Sequence, residues 1–413
     1  MHFFKYRGRK LYAEGVAVEK IAQEVGTPVF VYSKKTLRRH YRAFDRAFAK
    51  VPHMVCYSVK ANSNLAVLKT LADDGSGFDI VSAGELYRAL RAGADPARIV
   101  FSGVGKRDDE LEYAIKKRIL MFNVESPQEL RTLDRVAARV GRRAGVAIRV
   151  NPDVDPKTHP YISTGLKKNK FGIPADRALR EYAYAKSNLK NLDLIGVDCH
   201  IGSQITELSP FIDALGRTKE LIGRLRAEGI DIKYLDMGGG LGITYKDEDP
   251  PHPSRYGEAV IEETAGLDVT LIFEPGRVIV GNAGILVTRV VYVKEGEERN
   301  FVIVDAAMND LPRPSLYGSY HAIKAVRKGE GEMTADVVGP ICESGDFLAR
   351  DREIAAVEAG DLLAVMSAGA YAFSMSSNYN SRPRAAEVMV DGRGFRVVRR
   401  RETLRELVKG ESL

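Results

Sequence analysis

Lys60 ends an apolar, strand-forming run, Met54-Val55-Cys56-Tyr57-Ser58-Val59-Lys60-Ala61-Asn62. A lysine at such a place is either a snorkelling surface residue or an amine held in a pocket, and taken alone it is more often the former. An amine in a pocket sheds its proton and attacks carbonyl compounds. Two further segments carry chemistry of a different kind. Gly238-Gly239-Gly240 precedes Leu241-Gly242-Ile243, and Glu274-Pro275-Gly276-Arg277 follows Leu271-Ile272-Phe273. Three glycines are a flexible loop in the plain reading, yet they also let backbone N–H groups close around an anion. Gly276 and Arg277 add donors and a fixed positive charge. An amine and an anion nest together suit an aldehyde that carries a phosphate.

Pyridoxal phosphate is such an aldehyde. It also requires a partner for its ring nitrogen and a group against its ring face. Glu274 directly follows a buried apolar run, so its carboxylate needs a partner, and a pyridinium would serve. His200 is a satisfied core histidine in the plain reading and a ring-stacking group in the functional one. Asp79, Ser82, Ser102, Glu125, Arg149, Asn151 and Ser203 also stand within or just after apolar runs.

These residues need a scaffold that brings run ends together. Eight short apolar runs, at 55–59, 78–81, 99–101, 120–124, 146–150, 194–199, 234–237 and 271–273, alternate with helix-patterned segments such as 83–91, 108–115, 127–140 and 210–227. Continuous rather than alternating apolar runs suit strands buried on both faces. Eight of them separated by helices in roughly 250 residues predict an α/β fold, a TIM-type (β/α)8 barrel, whose strand C-termini form the active-site rim. The loops after strands seven and eight, where a barrel usually binds phosphate, are those of 238–240 and 274–277. A doubly wound open sheet is the main rival, but no G-x-G-x-x-G turn follows an early strand. Beyond residue 284 the pattern changes to strands at 284–293, 300–305, 335–338, 352–357 and 362–366, with a hairpin around Asp391-Gly392. The expectation is a barrel over 35–283 and a separate, mainly antiparallel β domain of 284–413 joined by 1–34, where Val29-Phe30-Val31-Tyr32 adds a strand. A short helix is expected over 401–409.

Bulk properties narrow the function classes. At 413 residues, 45% hydrophobic and 28% charged, the chain is an ordinary globular one. No apolar run reaches the roughly 18 residues of a membrane span, and the start, Met1-His2-Phe3-Phe4-Lys5-Tyr6-Arg7, is too short and charged for a secretion signal. Cys56, Cys199 and Cys342 are odd in number, widely spaced and in no metal-ligand pattern, which fits a cytoplasmic location and no metal. The net charge of +7 raises nucleic-acid binding. However, the basic runs Lys167-Lys168-Asn169-Lys170 and Arg399-Arg400-Arg401 are short and lack interleaved aromatics, so an anionic small molecule explains the charge more simply.

The motifs, taken in order, resemble those of the pyridoxal-phosphate-dependent decarboxylases of the alanine-racemase-like fold (fold type III). The matching segments are Tyr57-Ser58-Val59-Lys60-Ala61-Asn62, Phe78-Asp79-Ile80-Val81-Ser82-Ala83-Gly84-Glu85-Leu86, Lys170-Phe171-Gly172, His200-Ile201-Gly202-Ser203-Gln204, Asp236-Met237-Gly238-Gly239-Gly240-Leu241-Gly242 and Glu274-Pro275-Gly276-Arg277. The β domain supplies Met308-Asn309-Asp310-Leu311-Pro312-Arg313-Pro314-Ser315-Leu316-Tyr317, Cys342-Glu343-Ser344-Gly345-Asp346 and Gly369-Ala370-Tyr371. Leu166-Lys167-Lys168-Asn169 is more basic than the family pattern. The resemblance implies that Lys60 carries pyridoxal 5'-phosphate covalently and that His200 stacks on its ring. It places Ser203, Gly239, Gly240, Gly276, Arg277 and Tyr371 at the phosphate, Glu274 at the ring nitrogen, and Asp79 in the cofactor site. Arg277, Arg313, Tyr317, Glu343 and Tyr371 would hold an amino-acid substrate. Cys342 would be the acid that reprotonates the substrate carbon. In the family this segment comes from a second subunit, so the resemblance implies a homodimer with shared active sites.

Within the family the match points to decarboxylation of meso-2,6-diaminopimelate to L-lysine and carbon dioxide, the last step of lysine biosynthesis. Diaminopimelate carries an ammonium and a carboxylate at its far end, so Arg313 has a carboxylate to grip and Glu343 an ammonium. A relative acting on ornithine, arginine or carboxynorspermidine has no use for that arginine. A racemase needs bases on both ring faces, and a non-catalytic homologue would not need both Lys60 and Cys342. A thiol suits the proton-donor role because its reference pKa of about 8.5 supplies a proton near neutrality. The plain reading of Cys342 is a small buried hydrophobe, which the polar flank Glu343-Ser344-Gly345-Asp346 opposes.

Overall fold

The structure is a computed structural model that describes residues 2–155 and 170–413. Leu166, Lys167, Lys168 and Asn169, singled out above for their basic character, lie outside the described residues. The chain divides into two compact units, one of His40–Ile243 and Asp249–Val278, the other of Met1–Arg39, Thr244–Glu248 and Ile279–Leu413.

The first unit is the closed parallel barrel expected from the sequence. Its strands are His53–Ser58, Gly77–Ile80, Ile99–Phe101, Met121–Val124, Ala144–Asn151, Leu192–Asp198, Tyr234–Asp236 and Thr270–Phe273. Each pairs in parallel with the next, and the eighth closes on the first with Leu271 opposite His53 and Phe273 opposite Val55. Closure removes both sheet edges and buries both faces of each strand. The interior is filled from below by Cys56, Val100, Met121, Ala147 and Ile272. Above that apolar layer the register sets Arg149 beside Asp198 and Asp198 beside Asp236, so charged groups share one level of the barrel. The outer helices start where the chain offers a cap: Ser82 accepts from the N–H of Glu85 before Ala83–Arg91, and Ser126 from that of Glu129 before Pro127–Val140.

The second unit is mainly antiparallel. Val29–Ser33 lies between Gly284–Lys294, with which it pairs antiparallel, and Ala386–Asp391, with which it pairs in parallel. The sheet continues through Asn300–Val304, Glu332–Val338 and Phe347–Ala355 on one side and Gly394–Arg399 on the other. The strand Val29-Phe30-Val31-Tyr32, expected as an addition to this domain, is thus an interior strand of its sheet, and the hairpin turns at Gly392 as expected.

Three details differ from the sequence expectation. The strand placed at 352–357 runs over Phe347–Ala355, because Phe347 and Ala349 pair with Val338 and Val337. The terminal helix shrinks to Leu404–Leu407, since Leu404 is 73% exposed and no apolar face is there to hold more turns. A small sheet of Phe4–Arg7, Lys10–Ala13 and Val16–Ala17 was not anticipated; its strands are too short to leave a periodic signal.

Candidate active site

Lys60 sits just past the first barrel strand, in the short turn Val59–Ala61. Its Nζ lies 2.6 Å from Asp79 Oδ2, on the second strand, and Ser58 Oγ donates to the same oxygen at 2.6 Å. Asp79 is fully buried, whereas the lysine side chain is 35% exposed. The amine is thus at the rim of the barrel with its root held by a buried anion. Asp79 Oδ1 is buried and has no hydrogen-bond partner among the described residues. Glu85 stands near; burial pushes its carboxyl up to about 7, against the pull of the Val81 N–H and Lys60.

The glycine turn follows the seventh strand. Gly239 N–H donates to His200 Nδ1 at 3.2 Å, which places any proton of a neutral imidazole on Nε2. Burial, with Arg149 and Lys60 adding to it, holds the His200 ring well below the usual histidine range, so it stays neutral. The turn is built around these contacts. Gly238 has φ of +61°, and a Cβ there would come within 2.5 Å of His200 Nδ1; a Cβ on Gly239 would meet Glu274 O at 2.3 Å. Glu274 N–H donates to Gly238 O at 2.7 Å, which joins the seventh and eighth rim loops. On the eighth loop Gly276 is buried, and Arg277 Nη2 donates to Ser203 Oγ at 3.0 Å.

Glu274 is buried, and its Oε1 accepts from Ser102 Oγ at 3.0 Å and from Asn123 Nδ2 at 3.3 Å. Burial, then the neighbouring Asp236 and Asp79, raises its carboxyl well above the normal range. Asp236 is pushed up to about 7 by burial and by Asp198, although Gly238 N–H and Asn123 both donate to it. A cationic ring N–H brought to Glu274 would relieve that crowding of buried carboxylates. Behind them Arg149 donates to Glu125 at 3.1 Å and to the His200 carbonyl at 3.3 Å. Glu125 also accepts from the N–H groups of Gly103 and Gly172. Asn151 spends its side chain on Phe171 O and Asp153 N–H, and Ser82 on its helix cap.

The barrel unit therefore gathers Lys60, Asp79, His200, Ser203, Gly239, Gly240, Glu274, Gly276 and Arg277 on one rim. The donor set fits pyridoxal phosphate: an amine for the aldehyde, a neutral imidazole, a glycine cradle that Cβ atoms would fill, a cation for phosphate, and a carboxylate for the ring nitrogen. Asn123, Asp198 and Asp236 share the interior and escape a reading of strand ends alone. The available signal was a lone amide inside the apolar run Met121-Phe122-Asn123-Val124, which a strand buried on both faces does not hold without a partner.

In the β unit Cys342 is exposed, and its N–H donates to Asn380 Oδ1 at 2.8 Å. Glu343 accepts from Tyr379 Oη at 2.8 Å. Buried Asp346 anchors the loop, accepting at 2.7 Å from the N–H groups of Met308 and Ile341. Ser315 donates to Gly345 O, so the loop is tied to the short helix Arg313–Tyr317. Arg313 is 6% exposed; its guanidinium reaches His321 Nε2 and Ser319 Oγ and lies 4.6 Å from the Tyr245 ring centre. Tyr317 and Tyr371 are half-buried, the latter with φ of +55°.

Comparisons with known proteins point to one family. Residues 34–281 match the family described as pyridoxal-dependent decarboxylase, pyridoxal binding domain. The diaminopimelate decarboxylase of Pseudomonas aeruginosa is 58% identical over 100% of this chain and 99% of its own length. That of Vibrio cholerae is 56% identical, over 100% and 99%. A crystal structure of diaminopimelate decarboxylase from Helicobacter pylori complexed with L-lysine is 44% identical, with a TM-score of 0.92 over 95% of this chain and 98% of that one. One from M. jannaschii, also in complex with L-lysine, is 37% identical, with a TM-score of 0.95 over 99% and 98%.

Proposed function

The chain belongs to the pyridoxal-dependent decarboxylase family, and from that premise we propose that it removes carbon dioxide from meso-2,6-diaminopimelate to give L-lysine, the last step of lysine biosynthesis. The observation that carries this reading is the pairing of Lys60 with buried Asp79 on the same rim as the Gly238 turn and Glu274, in a chain 58% identical to a diaminopimelate decarboxylase.

When bound, pyridoxal phosphate supplies an aldehyde that takes up amines and a ring that accepts the electron pair left by departing carbon dioxide. Lys60 would hold that aldehyde covalently, and Asp79 would accept hydrogen bonds from its ammonium when the amine is free. Arg277, Ser203 and the N–H groups of Gly239, Gly240 and Gly276 hold the phosphate, joined by Tyr371. His200, held neutral by burial, would lie against the ring without adding charge. Glu274 would accept from the ring N–H and keep the ring protonated, which would strengthen its pull on the electron pair. Arg277, Arg313, Tyr317, Glu343 and Tyr371 hold the substrate, with Arg313 on the distal carboxylate and Glu343 on the distal ammonium. Cys342 delivers a proton to the carbon that has lost its carboxylate.

The working form is a homodimer in the cytoplasm. An exposed Cys342 beside exposed Tyr379 is a poor place for a protected proton transfer, which supports its use in the site of a second copy. The three cysteines are free thiols, which supports a reducing compartment. No helix among the described residues is long and apolar enough to cross a membrane. Borohydride reduction in the presence of pyridoxal phosphate, followed by peptide mapping, tests the reading. A pyridoxyl group on Lys60 is expected, and a group on any other lysine, or none, contradicts it.

A further inference from the structure

Asn123 is a fully enclosed polar side chain near Glu274. It lies within the fourth barrel strand, is 0% exposed, and points into the layer that holds the buried carboxylates. Its Nδ2 is 3.1 Å from Asp236 Oδ2, 3.1 Å from Ser102 Oγ and 3.3 Å from Glu274 Oε1. One amide hydrogen serves Asp236, and the other is shared by Ser102 and Glu274. Ser102, thus supplied with a donor, passes its own hydrogen to Glu274 Oε1 at 3.0 Å.

The connections close a circuit. Asp236 Oδ1 accepts from Gly238 N–H at 2.9 Å, and Glu274 N–H donates to Gly238 O at 2.7 Å. The Glu274 backbone, the Gly238 turn, Asp236, Asn123 and the Glu274 side chain therefore form one ring of hydrogen bonds. Both side-chain donors reach Oε1 of Glu274, and among the described residues no hydrogen bond reaches Oε2. The circuit fixes one carboxylate oxygen and leaves the other available.

We propose that Asn123 and Ser102 are positioning residues that hold Glu274 by one oxygen, so that the other accepts from the ring nitrogen of pyridoxal phosphate, and that Asn123 links this contact to the glycine turn that takes the phosphate. The inference rests on the reading under Proposed function. An amide is the side chain this node needs. It donates in two directions without adding a charge to the cluster of Asp79, Asp198, Asp236 and Glu274. Its orientation is set by that need: a flipped amide would turn its oxygen toward two carboxylates. The observed orientation leaves Asn123 Oδ1 buried without a partner, a cost accepted for the two donated bonds. An aspartate of the same shape would remove both donors, and alanine at 102 would remove only the one aimed at Glu274.

A double-mutant cycle read by cofactor affinity tests this. Ser102→Ala, Asn123→Asp, Glu274→Gln and the two pairings with Glu274→Gln are titrated with pyridoxal phosphate, the apoproteins first being checked for an intact cooperative melt. Ser102→Ala and Asn123→Asp should each weaken binding roughly tenfold or more, the worth of a hydrogen bond to a charged group. Each should also shift the absorption band of the bound cofactor in the direction that Glu274→Gln shifts it. Once Glu274 is glutamine, Ser102→Ala should weaken binding no more than about twofold, because its target charge is gone. Equal losses with and without Glu274, or unchanged affinity and band in Ser102→Ala, overturn the proposal while the assigned function stands. A wild-type chain that takes up no pyridoxal phosphate overturns both, so the two failures are told apart. If Asn123→Asp does not fold, Ser102→Ala, which removes only a hydroxyl, still decides the matter.

Discussion

Gly238→Ala should separate cofactor binding from folding. Gly238 has φ of +61°, where an L-residue bears a strain of about 1–2 kcal/mol. Its new Cβ would lie 2.5 Å from His200 Nδ1, 2.7 Å from His200 Cβ and 2.8 Å from His200 Cγ, closer than real Cβ contacts come. The imidazole must therefore move, and its hydrogen bond from Gly239 N–H is lost, at about 1 kcal/mol. The apoprotein can relax by letting the ring and turn part. The loaded protein cannot, because ring and turn must both meet the cofactor. The backbone strain falls on folding, while the clash and the lost hydrogen bond fall on binding, about 1 kcal/mol or more, or at least roughly a fivefold rise in the dissociation constant for pyridoxal phosphate. Gly141→Ala is the control. It has φ of +71° with nothing within 4 Å of a built Cβ, so it carries the backbone strain without the clash. Absorbance titration of both apoproteins, with their thermal melts, is the assay. The expected result is weakened binding in Gly238→Ala alone, with both apoproteins melting slightly early. Wild-type affinity in Gly238→Ala would refute the claim that the turn and His200 form one cofactor surface.

Lys60→Ala should abolish the borohydride-trapped pyridoxyl label and nearly all turnover, and the apoprotein should melt earlier than wild type because buried Asp79 loses its ammonium partner; mass spectrometry and calorimetry check both. Cys342→Ala should keep cofactor affinity and slow product formation, since the thiol is exposed and its removal opens no core cavity; equal turnover would remove it from the mechanism. Asp346→Ala should destabilise the β unit by roughly 1–3 kcal/mol in urea unfolding, because it strands the buried N–H of Ile341 and the half-buried N–H of Met308. Glu85, pushed up to about 7 by burial, binds its proton more tightly folded than unfolded. It therefore contributes stability below its unfolded value near 4.3 that is lost as pH rises through 7. Melting temperatures of the apoprotein should show Glu85→Gln gaining on wild type between about pH 5 and 8, and a constant difference across that window would contradict the assignment.

The barrel was legible because its strands are buried on both faces. Continuous runs such as Val55-Cys56-Tyr57 cannot be amphipathic surface strands, and each observed barrel strand overlaps its expected run. The rim was legible for the same reason, since a residue one step past a buried strand has only one place to go. Lys60, His200 and Glu274 were found that way. Asn123 and Asp236 were not singled out, because they stand within strands and their partners are set by register between chain segments far apart: Asn123 meets Asp236 across 113 positions. The small N-terminal sheet escaped because Val16–Ala17 is too short to show a period. The surroundings of Arg313 were also out of reach. Its contacts to His321 and Tyr245 depend on how loops fold back, which local pattern does not encode.

The central claim is the reaction, and its most direct measurement is carbon dioxide release from meso-diaminopimelate, L-lysine, L-ornithine and L-arginine offered separately to the pyridoxal-phosphate-loaded protein, with the amine product identified. Release from diaminopimelate alone, in step with L-lysine formation, is the expected result. No release from diaminopimelate alongside release from ornithine, lysine or arginine would contradict it.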